Sequence, residues 1–417
     1  MSILSLVLAF LISFVASVES DDTLLFTQVL FRHGARAPSL QLTNTSYGEQ
    51  FHRGLGELTD RGFENSYKLG KFLKKRYVDT GFLNRNMIPR EVIKFFRLYT
   101  TSFQMYWRSV NKRRCLSTAA TVGASMFEDH RHLQVAVFTD EFGEDLLSYD
   151  QKKCPREDEL VKEKCPDFDG NYSPWPKYEG FIANCLNYSH PAFEKFPFHT
   201  IEAHMNEYKN GIPLPPLLAE NIDSIMELYV NVTQFITGTG NHHNEDVMQM
   251  KFGYLVYTLL ENIMEADMEE VEEKFVVYST QDWILMGVLD SFGVLEESVG
   301  LKKYPEYNSM IIMEVWENVK NESYVKMFYK AEEETEEDHK LIDLTAHVRN
   351  CAGATECPLN DFVNCCSDYK YKRAGELCQK ADPSKVFVPR SQSVVPNTLF
   401  GEIGNIKRRK RRFAGPE

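Results

Sequence analysis

The chain has 417 residues, of which 43% are hydrophobic and 26% are charged, a composition that is ordinary for a globular protein of one large domain or two smaller ones. Its formal net charge of −13 argues against a nucleic-acid partner, because an acidic surface repels phosphate backbones. An anionic substrate would have to be drawn into a local basic pocket.

The N-terminal segment, residues 1–20, is typical of a secretory signal peptide. Residues 3–15 form an apolar run, and Val18 and Ser20 fit a small-x-small cleavage pattern before Asp21. An uncleaved membrane anchor is the alternative, but the run is short for a bilayer span, and no later segment is long and apolar enough for one. We therefore expect a protein without a membrane span that is secreted, or lysosomal via the secretory pathway.

Cysteines and glycosylation sequons indicate the same oxidising route. The chain has nine cysteines, and they lack the spacing with histidines that a zinc site requires, so we expect no metal. The odd count leaves at least one thiol free or paired between chains, and Cys115, in a predicted helix, is the candidate for a buried free thiol. The N-x-[ST] sequons lie at Asn44, Asn171, Asn187, Asn231 and Asn321.

Strands and helices are predicted in alternation along most of the chain. Residues 24–31 are mostly apolar and predict a strand buried on both faces, and Thr59 is a predicted helix N-cap. Further strands are predicted at residues 92–96, 133–140, 275–279, 309–317 and 324–330, and further helices at 113–127, around 217–235, at 248–270 and at 283–294. This alternation predicts an α/β sheet with helices on both faces.

Residues 151–245 differ from the rest, because Pro, Tyr, Trp, Asn and Cys are frequent in their first part and the periodicity is poor. We interpret them as a mainly helical cap inserted into an α/β core made of residues 21–150 and 246–380. The tail, residues 381–417, contains a basic run that is either a solvated end or a dibasic processing site.

The stretch QVLFRHGARAP places Arg32, His33 and Arg36 directly after the first predicted strand. Three groups that are or can become cations repel one another, and an anion held between them would remove that conflict. Ligands of open α/β sheets bind beyond the carboxyl ends of the strands, and guanidinium groups bind phosphate oxygens in bidentate fashion. A neutral imidazole among them could attack phosphorus, and cationic neighbours would lower its pKa and keep it neutral.

The motif RHGxRxP resembles the signature of the histidine acid phosphatases, the secreted branch of the histidine phosphatase superfamily. The segments LTDRGFENSYKLGKFLKKRYV, RSVNKRRCLSTAA, VVYSTQDWILMGVL and ECPLNDF are similar to later landmarks of that family in the same order, over most of residues 23–380. The resemblance implies a phosphoglycerate-mutase-like three-layer α/β sandwich with a mostly parallel central sheet and a smaller cap. It also implies no cofactor, a phosphate monoester of a small molecule or peptide as substrate, and a homodimer as one oligomeric state.

The family's functional residues can be carried over to matching positions. His33 would be the nucleophile, and Asp282, which follows the predicted strand at 275–279, would be the proton donor. Phosphate would be bound by Arg32, Arg36, Arg108 and Gln281, whereas Arg113 and Arg114 are interpreted as structural or rim charges. The resemblance also implies the disulfides Cys351–Cys357 and Cys154–Cys378.

Two departures from the family pattern affect the expected activity. Gln281 replaces a histidine that normally precedes the acidic residue and helps to bind the phosphoryl group. Residues 97–107 are an insertion before the expected phosphate-binding arginine, so Arg97 is an alternative to Arg108. The sequence thus predicts an acid phosphomonoesterase of reduced activity, with a catalytically impaired, secreted phosphate-binding or interaction protein as the alternative.

Overall fold

The computed structural model describes residues 22–42, 47–87, 90–95, 98–130, 134–141, 146–149, 154–170, 172, 175–268, 273–331 and 341–379. The predicted signal peptide, the basic tail, Arg97 and the sequons at Asn44 and Asn171 lie outside these residues. Of the remaining sequons, Asn187 and Asn321 are exposed, and Asn231 is half-buried on a helix.

One sheet organises the molecule. Its strands are β1 (Thr23–Arg32), β2 (Arg90–Phe95), β3 (Leu98–Ser109), β4 (Val137–Phe138), β5 (Glu273–Thr280), β6 (Met310–Glu317), β7 (Ser323–Lys330), β8 (Leu341–Asp343) and β9 (Cys357–Pro358). The spatial order is β2-β3-β5-β1-β6-β7-β8, with β4 on β3 and β9 on β7. The central strands β3, β5 and β1 are parallel, and the strands beyond β1 are antiparallel. The carboxyl ends of the central strands therefore meet at one edge, where α/β proteins bind ligands.

Helices cover both faces of this sheet. They are α1 (Tyr47–Gln50), α2 (Asp60–Leu73), α3 (Arg113–Met126), α4 (Pro155–Lys164), α5 (Trp175–Cys185), α6 (Ile201–Lys209), α7 (Pro216–Ala219), α8 (Ile222–Thr237), α9 (Glu245–Asp267), α10 (Asp282–Ser291), α11 (Leu295–Ser298), α12 (Leu359–Val363) and α13 (Ala374–Leu377). Helix α2 begins where Thr59 was predicted to cap it, because the Thr59 hydroxyl accepts a hydrogen bond from the Gly62 amide at 3.3 Å.

The apolar run of β1 is buried on both sides, as the sequence predicts. Val29 and Phe31 pack in one hydrophobic cluster with α2 and α3, whereas Leu30 packs in the opposite cluster with α9 and α10. Successive side chains of a strand point to opposite faces, so an uninterrupted apolar run requires cover on both. The predicted α/β architecture, helices on either side of one sheet, is confirmed.

Residues 98–107 of the insertion are part of the sheet. Residues 90–95 and 98–103 pair as an antiparallel hairpin, with Phe95 opposite Leu98. The second strand of this hairpin continues as far as Ser109 and pairs in parallel with β5. The segment QMYW, residues 104–107, thus belongs to the strand that leads to the expected site, and the earlier residues add a further edge strand rather than a surface loop.

The cap residues have a hydrophobic cluster of their own, which includes Ile182, Ile201 and Val232. The disulfides are Cys154–Cys378, Cys165–Cys185, Cys351–Cys357 and Cys365–Cys366. Two of these pairs are those that the family resemblance implies, and the other two could not be assigned from the sequence. Cys115 is the buried free cysteine that was predicted, and burial raises the pKa of its thiol to about 12. Among the described helices, none has the length and apolarity of a bilayer span.

Candidate active site

The loop after β1 is held by hydrogen bonds from three directions. The Arg32 amide donates to the Ser309 carbonyl at 2.9 Å, the His33 amide to the Thr280 carbonyl at 3.1 Å, and the Gly34 amide to the Thr118 hydroxyl at 3.0 Å. Strands β1 and β5 run in parallel register, with Arg32 opposite Thr280. The residues that follow β1 and those that follow β5 therefore lie at the same crevice.

Glycines allow this loop to approach α2 closely. A Cβ atom on Gly34 would lie 2.5 Å from the carbonyl oxygen of Gly62, and a Cβ on Gly62 would lie 2.0 Å from the carbonyl oxygen of Ala35. Such distances are far inside van der Waals contact, so neither position tolerates a larger side chain without displacing the backbone. The glycine of the RHG motif thus has a packing reason in addition to any role in catalysis.

His33 is 1% exposed, and its orientation fixes its chemistry. Its Nδ1 lies 2.9 Å from the carbonyl oxygen of Gly34. A carbonyl oxygen only accepts, so Nδ1 carries the proton and Nε2 retains its lone pair. Burial and the guanidinium groups of Arg114, Arg32 and Arg36 hold the pKa of His33 well below 6.5. The imidazole therefore remains a neutral nucleophile in mildly acidic solution.

Arg32 connects the histidine loop to the start of α10. Its Nη2 lies 2.8 Å from Oδ2 of Asp282, and its Nη1 donates to the Pro305 carbonyl at 2.6 Å. The guanidinium carbon lies 4.1 Å from the centroid of the Tyr307 ring, within cation–π range. Burial alone would lower the pKa of Arg32, but Asp282, together with Tyr307, Tyr304 and Glu306, more than offsets it, and the net pKa is raised. Asp282 is thereby positioned beside the same arginine that borders His33.

Arg36 is held by its own loop and by the cap. Its Nη1 donates to the Ala37 carbonyl at 3.0 Å and to the Ser39 hydroxyl at 3.1 Å. Its Nη2 forms an ion pair with Oε1 of Glu202, at the start of helix α6. The cap therefore supplies a carboxylate to a group that the sequence assigned to the core alone.

Arg114, which the sequence analysis treats as a structural or rim charge, belongs to the site. It lies in the first turn of α3, and its Nη2 donates to Oε1 of Gln281 at 2.8 Å. Burial and the charge of Arg36 lower the pKa of Arg114, and Arg114 in turn is the neighbouring charge that lowers the pKa of His33 most. Arg114 precedes Thr118 by one helical turn, so both lie on one helix face, but only the structure shows that this face meets the histidine loop.

The structure does not bring Arg108 into this group, so the prediction for Arg108 is corrected. Arg108 lies within β3 and forms an ion pair with Asp140. It lines a different groove of about 380 Å³, together with Tyr106 and Tyr278. The reason is geometric: Arg108 is still inside the strand, whereas the site is built beyond the strand ends, where α3 begins.

Each arginine of the site has an N–H donor that makes no hydrogen bond within the described residues. The Nε atoms of Arg32, Arg36 and Arg114 are buried, and no hydrogen-bond partner is found for them within the described residues. A buried donor without a partner is costly, and three such donors around one imidazole are satisfied together by an oxyanion. The arrangement is therefore suited to an anion, with the unprotonated nitrogen of His33 beside it.

The pocket opens into a cavity of about 1040 Å³ between core and cap. Its wall includes Met226, Tyr229, Tyr304 and Tyr307. Charged pairs at the wall neutralise one another: Lys209 Nζ lies 2.7 Å from Glu306 Oε2, and Lys302 Nζ lies 2.8 Å from Glu227 Oε1. The cavity wall therefore combines apolar and aromatic surface with charged side chains, and Lys209 and Lys302 add little net positive charge to it.

Glu179 on helix α5 makes the stability of the protein pH-dependent. Trp175 Nε1 donates to its Oε1 at 2.8 Å, and burial and then Glu202 raise its pKa from 4.5 to about 8. Between these values the folded protein binds more protons than the unfolded chain, so stability falls as pH rises. We expect Glu179→Gln to flatten this fall and to raise the melting temperature by about 5 °C near pH 8, with little change near pH 4.5. Melting temperatures measured across this pH range test the prediction. If the melting temperature of the wild type and of Glu179→Gln fell equally with pH, the raised pKa of Glu179 would be contradicted.

The fold is that of an α/β protein, and the geometry of this pocket suits a tetrahedral anion beside a histidine side chain. The model of the histidine phosphatase superfamily, branch 2, matches residues 23–330. This chain therefore belongs to the histidine phosphatase superfamily, and its acid phosphatase relatives mark it as a phosphatase of the histidine acid phosphatase family.

Relatives of the chain carry acid phosphatase names. A Caenorhabditis briggsae protein named "Putative acid phosphatase 1" is 28% identical over 381 residues, covering 87% of this chain and 84% of the relative. The lysosomal acid phosphatase of Rattus norvegicus is 24% identical over 393 residues, covering 91% of this chain and 86% of the relative. Among solved structures, the Hafnia alvei phytase in complex with tartrate matches with a TM-score of 0.55 and 13% identity, covering 87% of this chain and 100% of the phytase. That structural likeness supports the fold.

Proposed function

We propose that the protein is an acid phosphomonoesterase that hydrolyses phosphate monoesters through a phosphohistidine intermediate. One observation carries the proposal: the neutral Nε2 of His33 is surrounded by three arginines, each with a buried Nε donor that has no partner among the described residues. Such donors would bind the phosphoryl oxygens of the substrate and of the transition state.

The reaction follows in two balanced steps. In the first, Nε2 of His33 attacks phosphorus, the ester P–O bond breaks, and the carboxylic acid of Asp282 gives its proton to the departing alkoxide oxygen. In the second, water attacks phosphorus, the Asp282 carboxylate takes its proton, and the P–N bond breaks to release phosphate. Asp282 must enter the first step protonated, and this requirement suits an acidic working pH.

The substrate class that we propose is a phosphate monoester of a small molecule or of a peptide. The aromatic and apolar wall of the cavity suits an organic leaving group. Lys209 and Lys302 are paired with carboxylates, which lowers the positive charge that the cavity wall offers to a substrate with many phosphates; Lys303 and Arg61 also line this wall. The predicted signal peptide and the acid phosphatase relatives support a secreted or lysosomal location.

The purified mature chain should hydrolyse p-nitrophenyl phosphate at acidic pH. Rapid quenching during turnover should trap a phosphoryl group on His33, because the intermediate must form and decay in each cycle. Phosphorylation mapped by mass spectrometry after the quench provides the measurement. Absence of turnover from about pH 3 to 8 would reject the enzymatic proposal in favour of the second candidate, a secreted phosphate-binding or interaction protein.

Gln281 favours a reduced rate, and this defines a prediction. Oε1 of Gln281 accepts a hydrogen bond from Arg114. The neutral side-chain amide nitrogen of Gln281 is therefore the donor that remains for a phosphoryl oxygen. A histidine would add a charge-assisted bond, so we expect Gln281→His to raise kcat about ten-fold. Gln281→Met, which keeps the length but removes the donor, should lower it. Steady-state kinetics of both variants decides: if neither rate changes, Gln281 does not contact the phosphoryl group.

A further inference from the structure

The cap places a carboxylate inside the phosphate-binding group. Glu202 is 8% exposed and pairs through Oε1 with Nη2 of Arg36. Nε and Nη2 of an arginine form the side-on fork that grips two oxygens of one phosphate, and Nε of Arg36 has no partner in the part of the chain that the structure describes. Glu202 therefore occupies half of the fork that a phosphoryl group would need.

Neighbouring side chains fix Glu202 in this position. Asn206, one helical turn later, donates from Nδ2 to Oε1 of Glu202 at 2.8 Å. The side-chain oxygen Oδ1 of Asn206 in turn accepts from the Tyr307 hydroxyl, and the Tyr307 ring lies against Arg32. The second carboxylate oxygen, Oε2, is buried and has no hydrogen-bond partner within the described residues. A carboxylate that served only to anchor the cap would be expected to use both oxygens.

We propose that Glu202 is a specificity-determining residue that competes with the phosphoryl group for Arg36 and thereby weakens the binding of free phosphate. This inference rests on the proposed function of the pocket. Its consequence is that the product, which carries no organic group to contact the cavity wall, is held less tightly than the arginines alone would hold it. A substrate can offset the competition through its leaving group, whereas inorganic phosphate cannot.

The test is direct binding of inorganic phosphate to the full mature chain by calorimetry, without turnover. Glu202→Gln retains the shape and an oxygen for Asn206 but removes the charge, so we expect a Kd about ten-fold lower than in the wild type. The matched control is Glu376→Gln, which removes one carboxylate charge from an exposed pair with Arg373, and neither residue lines the cavity. Its Kd should change less than about two-fold.

The direction of the effect separates competition from a structural role. If Glu202 only anchored the cap, Glu202→Gln would lower the melting temperature and weaken phosphate binding, and that result would overturn the inference. Equal tightening by Glu376→Gln would also overturn it, because the effect would then be one of net charge. A wild-type protein that hydrolyses p-nitrophenyl phosphate while Glu202→Gln leaves the Kd unchanged refutes the inference alone. A wild type that neither binds phosphate nor hydrolyses the ester refutes the proposed function and the inference together.

Discussion

Replacement of His33 by alanine is expected to reduce kcat by at least about 10⁴-fold with p-nitrophenyl phosphate. The imidazole forms the covalent bond to phosphorus in the proposed reaction, and the alanine side chain offers no nucleophile. Three arginines remain in the pocket, so phosphate binding should persist even though turnover is lost. Steady-state kinetics, rapid quench and phosphate calorimetry on one protein preparation measure the three properties.

The control for this variant is His130→Ala. His130 lies at the end of a short helical turn and contacts Asn86, remote in the fold from the histidine loop. Its replacement should leave kcat within about two-fold. Retention of more than a few per cent of activity in His33→Ala would contradict the phosphohistidine mechanism, since the pocket would then hydrolyse the ester without that nucleophile.

Arg114→Ala is expected to lower kcat/KM by about 10²–10³-fold, because a buried guanidinium directed at the phosphoryl group is removed. Arg114 also lowers the pKa of His33, so its loss should raise that pKa. A raised pKa means that His33 becomes protonated at a higher pH. The acidic limb of the kcat/KM profile should therefore move to higher pH in Arg114→Ala, a shift that simple loss of folding would not produce.

Arg108→Ala is the matched comparison, since both arginines flank the same strand-to-helix junction. Arg108 pairs with Asp140 in a separate groove, so its removal should change kcat/KM by less than about three-fold and should not move the pH profile. A larger loss in Arg108→Ala than in Arg114→Ala would restore the assignment that the sequence alone suggested and would contradict the geometry of the site.

The two arginines show why a motif match is insufficient at this point. Both belong to the segment RSVNKRR, in which the family resemblance assigns phosphate binding to Arg108, and Arg114 is interpreted as a structural or rim charge. The choice depends on where the strand ends: β3 extends through Ser109, so Arg108 stays within the sheet, while α3 begins at Arg113 and directs Arg114 over the strand ends. Strand and helix boundaries are the least certain part of any sequence-based assignment, and here they decide which side chain meets phosphate.

The contact between the cap and Arg36 could not be predicted from the sequence, for a different reason. Glu202 and Asn206 lie about 170 residues after the histidine loop in a segment of poor periodicity, and no local pattern marks them as partners of Arg36. The carboxylates Asp282 and Glu202 both reach the arginine group, but only Asp282 follows a recognisable strand. Contacts between a cap and a core depend on how two separately packed clusters meet, and that is set by the whole fold.

By itself, the sequence determined the α/β class and predicted that Arg32, His33 and Arg36 follow one buried strand and that Asp282 follows another, because each is encoded locally by a strand and the residues directly after it. The tertiary structure alone decided that Arg114 completes the group and that Glu202 pairs with Arg36. Those two side chains come from elements remote in the chain. The position of Arg114 depends on where β3 ends and α3 begins, and that of Glu202 depends on how the cap packs on the core. No short stretch of sequence specifies either.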